Sequence, residues 1–281
     1  MQRENMKTQI EKSEEFAKLH RKDHCFVIPN PWDAGSACLL EHLGFPALAT
    51  TGAGFAFAQG KSDLSIKAQE MLPHLTQLCA MTSLPISADL QNGFGHTPAE
   101  AAKTIIEAAK TGIVGCSIED ATGDAANPIY DLGLAKERIQ HAATAAKSLG
   151  FKFMLTARAE NYFYGIPDLA DTIRRLQAYQ DAGADVLFAP GIQSKADIKS
   201  ILSSIDRPLN VLMGLRGEQL SLAELSELGV SRISLGGSLA KTAYSAMISA
   251  VKDIMSTGKF DYASNAITGK EINAIFDHRQ Q

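Results

Sequence analysis

Residues 84–95 read Leu-Pro-Ile-Ser-Ala-Asp-Leu-Gln-Asn-Gly-Phe-Gly, an apolar run that opens into a glycine-rich turn. This pattern predicts a buried strand over residues 85–90, followed by a helix from about Thr97. Side chains alternate along a strand, so its polar members share one face and would look into a cavity. These polar members are Ser87, Asp89 and Gln91.

Asp89 is the residue of this stretch that points most directly to chemistry. Burying a carboxylate at the end of a strand costs several kcal/mol unless the group has a partner. The usual partner is a metal ion or another cation. The alternative role, capping the next helix, would place the acid nearer His96 or Thr97. We therefore favour a functional role for Asp89.

The strand-then-helix pattern recurs eight times along the chain, and a glycine follows most of the helices. Regular alternation of strands and helices predicts parallel strands, and eight units predict a closed (β/α)8 TIM-type barrel. An open doubly wound sheet is the alternative. It is disfavoured because no GxGxxG motif opens a helix after the first strand and no GxxxxGK motif occurs.

The expected organisation is a single α/β domain over residues 1–281. It comprises an N-terminal helix, a barrel at about 23–257 and a helical tail over 258–281. The predicted strands cover residues 25–28, 47–50, 85–90, 114–118, 151–157, 185–189, 209–213 and 232–235. The predicted helices cover residues 6–22, 32–43, 65–82, 98–110, 134–149, 168–182, 195–204, 222–228, 238–255 and 270–276. Residues 51–63 are expected to form a loop.

Composition excludes several classes of protein. The 281 residues carry a net charge of -4 with no basic stripe, which argues against a nucleic-acid partner. The sequence contains no run of about 18 apolar residues, so no membrane span is predicted. The polar N-terminus does not resemble a signal peptide, so a cytoplasmic location is expected. Cys25, Cys38, Cys79 and Cys116 are widely spaced and predict reduced, mostly buried thiols.

In such a barrel the active site lies where the strands end at their carboxyl termini. Clustered carboxylates at these ends repel one another unless a divalent cation neutralises them, and hard oxygen ligands suit Mg²⁺ or Mn²⁺. Arg158 could clamp a substrate carboxylate or phosphoryl group with its planar fork. Each residue taken alone could equally form a salt bridge at the barrel rim. The residues at these ends are Thr51, Gly52, Ala53, Asp63, Asp89, Gln91, Glu119, Arg158 and the stretch 236–238.

These motifs together resemble the isocitrate lyase/phosphoenolpyruvate mutase superfamily over about residues 22–257. The resemblance is carried by the stretches 51–53, 58–63, 89–95, 117–120 and 157–160. It implies a homo-oligomer, usually a tetramer with a swapped last helix. It also implies a small 2-oxo or 2-hydroxy acid as substrate.

The resemblance assigns roles to individual residues. It implies Mg²⁺ held by Asp89, with Asp63, Glu119 and Gln91 acting mainly through water. It places a substrate oxyanion at the backbone N–H groups of Gly52 and Ala53, with Thr51 nearby. Catalytic roles fall to Asp63, Glu119, Arg158 and, in the gating loop after Glu119, Asn127.

Three departures from the family pattern narrow the reaction. Gln91 stands where the family often has an acid. Residues 121–128 lack the Cys-Gly-His segment of the isocitrate and methylisocitrate lyases, and Cys116 is expected to face away from the site. Residues 188–191 lack the histidine of phosphonopyruvate-type members.

We therefore expect a Mg²⁺-dependent lyase that cleaves a C–C bond of a small 2-oxo or 2-hydroxy dicarboxylic acid through an enolate. One alternative is a phosphonomutase or phosphonopyruvate-type hydrolase acting on a C–P bond, and another is a non-catalytic ligand-binding barrel. The glycines at 236–237 also allow a phosphosugar aldolase. That activity commonly needs a Schiff-base lysine, and Lys152 lies at the wrong end of its strand.

Overall fold

The computed structural model describes residues 7–21 and 24–277. The ends of the predicted first helix at residues 6 and 22, the predicted barrel start at residue 23 and the last residues of the tail, 278–281, lie outside the described residues.

Eight parallel strands form the sheet, in the order β1-β8-β7-β6-β5-β4-β3-β2. They are β1 (Phe26–Ile28), β2 (Leu48–Ala49), β3 (Ile86–Asp89), β4 (Gly115–Glu119), β5 (Met154–Arg158), β6 (Val186–Phe188), β7 (Leu209–Leu212) and β8 (Arg232–Ser234). The seam between β1 and β2 is closed by the Ala49 N–H, which donates to the Pro29 carbonyl at 3.0 Å, and by Asn30 Nδ2, which donates to the Thr50 carbonyl at 2.9 Å. The predicted TIM-type barrel is confirmed.

Helices connect the strands and pack on the outside of the sheet. They are α1 (Gln9–Leu19), α2 (Ala34–His42), α3 (Gly52–Ala58), α4 (Ala68–Met81), α5 (Pro98–Ala109), α6 (Leu132–Lys147), α7 (Leu169–Asp181), α8 (Lys195–Leu202), α9 (Leu222–Leu228), α10 (Ser238–Thr257) and α11 (Gly269–Asp277), with a 3-10 turn at Asp261–Asn265. Thr97 caps α5, and its Oγ1 accepts the Glu100 N–H at 3.2 Å. Asp89 is therefore not the cap of this helix.

The expected loop over residues 51–63 is wrong in its first half, because α3 occupies it. Thr51 caps this helix, and its Oγ1 accepts the Gly54 N–H at 3.1 Å. A side chain at Gly54 would meet Thr51 Cγ2 at 2.7 Å and Trp32 Cβ at 2.9 Å, so only glycine fits. Glycine has a low helix propensity, so the sequence pattern indicated a loop where this helix forms.

Helix α1 closes the amino-terminal end of the barrel. Phe16 is fully buried, and the His20 ring meets the Phe26 ring edge-on at 5.1 Å. Gln9 Nε2 donates to the carbonyls of Ala109 and Ile113 at 2.8 Å each. The barrel therefore has a floor at this end and opens only at the carboxyl ends of its strands.

Helix α10 has little contact with its own barrel, since Ala240 is its only buried residue. Several large apolar side chains on it are exposed, namely Met247, Ile248, Val251 and Met255. In the described part of the chain, none of the helices combines the length and the apolar character that crossing a membrane requires.

Candidate active site

A cavity of about 380 Å³ opens at the carboxyl ends of the strands. It brings together eight of the nine residues to which the sequence assigns a role. These are Thr51, Gly52, Ala53, Asp63, Asp89, Gln91, Glu119 and Arg158. The ninth, Asn127, does not line the cavity.

Three carboxylates surround the guanidinium of Arg158. Its NH1 lies 3.0 Å from Asp89 Oδ1, its NH2 lies 3.1 Å from Glu119 Oε2, and its Nε lies 2.7 Å from Glu160 Oε1. The Phe188 ring lies below, with its centroid 5.3 Å from Arg158 Cζ. The alternation of β4 and β5 produces this cluster, because Glu119 and Arg158 are paired in register at the ends of these strands.

Burial governs the charges of this cluster. It raises the pKa of Glu119 well above its usual range, since Arg158 only partly offsets the desolvation and Glu160 adds repulsion. Burial likewise raises the pKa of Glu160, against the opposing effect of Arg158. Burial alone would lower the pKa of Arg158, but its acidic neighbours raise it, so the guanidinium stays charged. The cluster therefore holds one fixed cation and an excess of acid.

Asp89 is held by backbone amides as well as by Arg158. The Gly52 N–H donates to its Oδ2 at 3.0 Å, and the Gln91 N–H donates to its Oδ1 at 3.3 Å. A side chain at position 52 would lie 3.3 Å from Asp89 Oδ2, so glycine permits this close approach. The Gly52 amide, for which an oxyanion role is predicted, thus donates to Asp89 in this structure. The Ala53 amide has no acceptor among the described residues.

Gln91 occupies a strained position beside Asp89. Its backbone φ of 51° lies in the left-handed region, which glutamine rarely adopts. Its Nε2 is buried and has no hydrogen-bond partner in the described part of the chain. An unsatisfied buried amide costs about 1–3 kcal/mol, so it favours a polar ligand nearby.

Asp63 and Lys241 lie at the mouth of the cavity, and both side chains are exposed. They are close enough to interact electrostatically, and Asp63 also has electrostatic interactions with Asp89 and Arg158. Asp63 Oδ1 accepts the N–H of Leu64 at 2.8 Å. This acid is therefore near the cluster but not bonded to it.

Asn127, which the sequence predicts in a gating loop, lies outside the cavity in this structure. Its Nδ2 faces Asp124 Oδ2 at 3.4 Å, and its carbonyl accepts the Thr122 hydroxyl at 2.5 Å. An isolated antiparallel bridge between Ala121 and Ile129 closes this loop on itself. The loop thus holds Asn127 on the surface, outside the cavity.

Asp120 faces away from the cavity, as the alternation of β4 predicts. Its Oδ1 accepts the Glu160 N–H at 2.8 Å, and its Oδ2 accepts the Tyr179 hydroxyl at 2.5 Å and an Arg175 N–H at 3.1 Å. This buried network fixes the backbone that carries Glu160. Asp120 is therefore a positioning residue behind the site.

Among the other residues that line the cavity are Glu160, Tyr164, Arg232 and Lys241. Glu160 lies two residues beyond Arg158, at the end of the stretch 157–160 that carries the family resemblance. Arg232 opens β8 at the other end of the barrel, where the rule about strand ends gives no signal. Lys241 stands in the first turn of α10, which no motif marks.

The fold agrees with comparisons to known proteins. A model of the phosphoenolpyruvate phosphomutase family matches residues 16–255. The chain belongs to this family. It is thus an enzyme of the isocitrate lyase/phosphoenolpyruvate mutase superfamily, as the sequence motifs predicted.

Individual members of the superfamily are similar over most of their length. The crystal structure of a candidate lyase/mutase from Burkholderia cenocepacia J2315 is 50% identical, with a TM-score of 0.94 over 95% of this chain and 96% of that one. 2,3-Dimethylmalate lyase is 25% identical, with a TM-score of 0.84 over 98% and 96% of the two chains. Oxaloacetate decarboxylase of Bradyrhizobium diazoefficiens is 28% identical over 76% and 74%.

Enzymes of this superfamily generally use Mg²⁺, and the donors in the cavity suit that ion. Carboxylate and amide oxygens are hard ligands of the kind Mg²⁺ prefers. Within residues 7–21 and 24–277, no group of three His, Cys, Asp or Glu side chains is arranged to coordinate a metal ion. Asp89, Glu119 and Glu160 each contact a different nitrogen of the Arg158 guanidinium.

Proposed function

We propose that the protein is a Mg²⁺-dependent lyase that cleaves a C–C bond of a small 2-oxo or 2-hydroxy dicarboxylic acid through an enolate. The observation that carries this proposal is the convergence of Asp89, Glu119 and Glu160 on the guanidinium of Arg158, in a cavity with Asp63 at its mouth. Such an excess of acid is offset when the cavity holds a divalent cation, which can also bind an anionic substrate.

Asp89 would hold the ion directly, and Asp63, Glu119 and the side-chain oxygen of Gln91 would act through water. The ion supplies a Lewis acid that stabilises negative charge developing on the 2-oxygen of the substrate. Arg158 orients the adjacent carboxylate with the N–H groups that its acids leave unused.

The protein supplies the remaining stabilisation and the proton. The Ala53 amide, at the N-terminus of α3, donates to the developing oxyanion, with the Thr51 hydroxyl nearby. Burial raises the pKa of Glu119, which favours its protonated form, and a proton held there can be delivered to the carbon of the enolate.

A C–P bond reaction is the second candidate, and Lys241 is the observation that favours it. Its ammonium lies at the cavity mouth beside Gly236 and Gly237, where it could meet a phosphoryl group. A phosphonomutase or phosphonopyruvate-type hydrolase would need such a cation because position 189 carries no histidine.

The experiment that separates these candidates is a substrate screen with Mg²⁺. Small 2-oxo and 2-hydroxy dicarboxylates and phosphonopyruvate are incubated with the enzyme, and the products are followed by ¹³C and ³¹P NMR. We expect C–C cleavage that stops on adding EDTA. Turnover of phosphonopyruvate alone would favour the second candidate, and turnover unaffected by EDTA would contradict both.

We also infer that the protein is a homo-oligomer, as the resemblance implied, with a tetramer as the expected state. The exposed apolar side of α10 supports this inference, because a monomer would leave these side chains in water.

A further inference from the structure

The cavity continues below the acid cluster into the centre of the barrel. Small polar side chains line this lower part, where barrels usually carry bulky branched residues. They include Ser87, Ser117, Asn210 and Ser234. The Asn210 side-chain amide donates to the Ser234 hydroxyl at 2.8 Å. The lower cavity is thus lined by groups that can donate and accept hydrogen bonds.

Arg232 forms the floor of this lower cavity. Its Nε donates to Asn210 Oδ1 at 2.7 Å, its NH2 donates to Thr156 Oγ1 at 2.9 Å, and its NH1 lies 3.3 Å from His20 Nε2. Arginine only donates, so His20 accepts here with Nε2 and donates its Nδ1–H to the Phe16 carbonyl at 2.8 Å. All the partners of Arg232 are therefore neutral.

No carboxylate in the described part of the chain forms an ion pair with Arg232. The side chain is 5% exposed, and burial lowers the pKa of its guanidinium to about 9. A buried cation without a counter-ion is unfavourable. Its three hydrogen bonds also leave two of the five guanidinium N–H groups without an acceptor. Arg232 is thus a charged donor at the end of a cavity, and an anion would complete it.

We propose that Arg232 binds the second carboxylate of a dicarboxylate substrate whose first carboxylate lies at Asp89 and Arg158. This inference rests on the proposed function and assigns the residue that recognises the second carboxylate of the substrate. Thr156, which Arg232 contacts, lies two residues before Arg158 in β5, roughly 6.6 Å along the strand. A four-carbon dicarboxylate has a comparable length. Helix α1 closes the floor, so a carboxylate reaches Arg232 only through the cavity.

The test compares ligands that differ only at the end facing Arg232. Malate and 2-hydroxybutyrate share a 2-hydroxy acid head, but malate carries a carboxylate where 2-hydroxybutyrate carries a methyl group. Oxalate occupies the upper end alone. Affinities are measured by calorimetry with Mg²⁺ for wild type, Arg232→Gln, Arg232→Lys and the exposed control Arg207→Gln, using both malate enantiomers.

We expect wild type to prefer malate over 2-hydroxybutyrate roughly tenfold to a hundredfold, as for a charge-assisted hydrogen bond. Arg232→Gln should remove this preference and leave oxalate affinity within about twofold. Arg232→Lys keeps the positive charge but lacks the planar guanidinium, and it should retain part of the preference for malate. Arg207→Gln should match wild type.

Three results would overturn the proposal. The first is a wild type that binds malate no better than 2-hydroxybutyrate. The second is a preference that survives Arg232→Gln, and the third is an equal loss of oxalate and malate affinity in that variant. If neither Arg232 variant folds, the proposal is tested in wild type with formate as a competing ligand. Formate should compete with malate but not with oxalate, and failure to do so contradicts a carboxylate site at the floor.

A separate result would show that the floor binds a free anion and not the second carboxylate of the substrate. Formate that stabilises wild type against heat but leaves the malate preference unchanged would show a resident anion, and would overturn the substrate role. A different result would contradict the proposed function. That result is the absence of oxalate binding in the presence of Mg²⁺, whereas the comparison of malate with 2-hydroxybutyrate tests the role of Arg232.

Discussion

The Arg158 guanidinium lies 3.0 Å from Asp89 Oδ1, so the acid that we propose as the metal ligand is bonded to a cation of the protein itself. Asp89 is therefore held in place before any ion enters. Binding of a divalent cation would compete with Arg158 for this carboxylate and free the guanidinium N–H for substrate. The arginine and the ion are thus alternative partners of one acid cluster.

This competition predicts the behaviour of Arg158→Met. Removing the guanidinium leaves Asp89, Glu119 and Glu160 buried together without a cation, which should lower the free energy of unfolding by roughly 3–5 kcal/mol. Excess Mg²⁺ should restore part of the loss, because it binds the folded protein. Urea denaturation with and without Mg²⁺ measures both effects.

The matched control is Arg174→Met, since Arg174 forms an exposed pair with Asp171. Its loss should cost less than about 1 kcal/mol, with no response to Mg²⁺. An Arg158→Met protein as stable as wild type would show that the cluster does not depend on its cation.

Asp89→Ala should abolish Mg²⁺-dependent turnover while the protein stays folded. The reason is that Asp89 is the acid fixed on both oxygens by neighbouring N–H groups and is thus the preorganised ligand. Calorimetric titration with Mg²⁺ in the presence of oxalate should give heat for wild type and none for the variant. The exposed Asp206→Ala should behave as wild type. Equal binding by Asp89→Ala would rule out this acid as the ligand.

The protein should not cleave isocitrate or 2-methylisocitrate. Residues 121–128 carry no cysteine, and Cys116 is fully buried, where desolvation raises the pKa of its thiol. We expect turnover slower than about 0.01 s⁻¹, against a typical kcat of about 10 s⁻¹. A coupled assay for glyoxylate and pyruvate checks this, with an authentic 2-methylisocitrate lyase as the positive control. Cleavage at an ordinary rate would refute the prediction.

His20 should make the protein sensitive to acid. Burial and the nearby Arg232 lower the pKa of His20 from 6.5 to about 3. Unfolding therefore takes up a proton between these values, and the free energy of unfolding falls as the pH falls through this window. His20→Gln keeps an acceptor for Arg232 and should reduce the fall by roughly 1.4 kcal/mol per pH unit.

Denaturant titrations at pH 7, 6, 5 and 4 test this difference. Exposed His42→Gln is the control and should retain the wild-type slope. His74 is also buried, and desolvation lowers its pKa to about 4, so part of the slope remains in His20→Gln. Parallel curves for wild type and His20→Gln would contradict the assignment.

The exposed apolar side chains of α10 should mediate self-association. The double substitution Met247→Glu and Val251→Glu places charges on this surface and should shift the assembly toward the monomer. Light scattering should give wild type a mass that is a multiple of the 30.1 kDa chain. Exposed Arg207→Glu is the charge-changing control. A single wild-type species near 30.1 kDa would exclude the expected tetramer.

Periodicity predicted the barrel because every strand–helix unit repeats the same local pattern, and alternation placed Asp89, Glu119 and Arg158 on one face. What it missed depends on contacts between distant residues. Helix α3 forms because Gly54 fits against Trp32, a packing fact that no local pattern encodes. The position of Asn127 depends on hydrogen bonds within its own loop, which the sequence pattern does not reveal. Arg232 was overlooked because its partners come from other strands and α1.

The contact between His20 and Arg232 joins residues 212 positions apart, which has a consequence for the order of assembly. Along the chain, α1 precedes all eight strands and β8 follows the other seven. The hydrogen bond between His20 and Arg232 can therefore form only after the last strand has been made. Closing such a long loop is slow, so the base of the barrel is among the last parts to be completed.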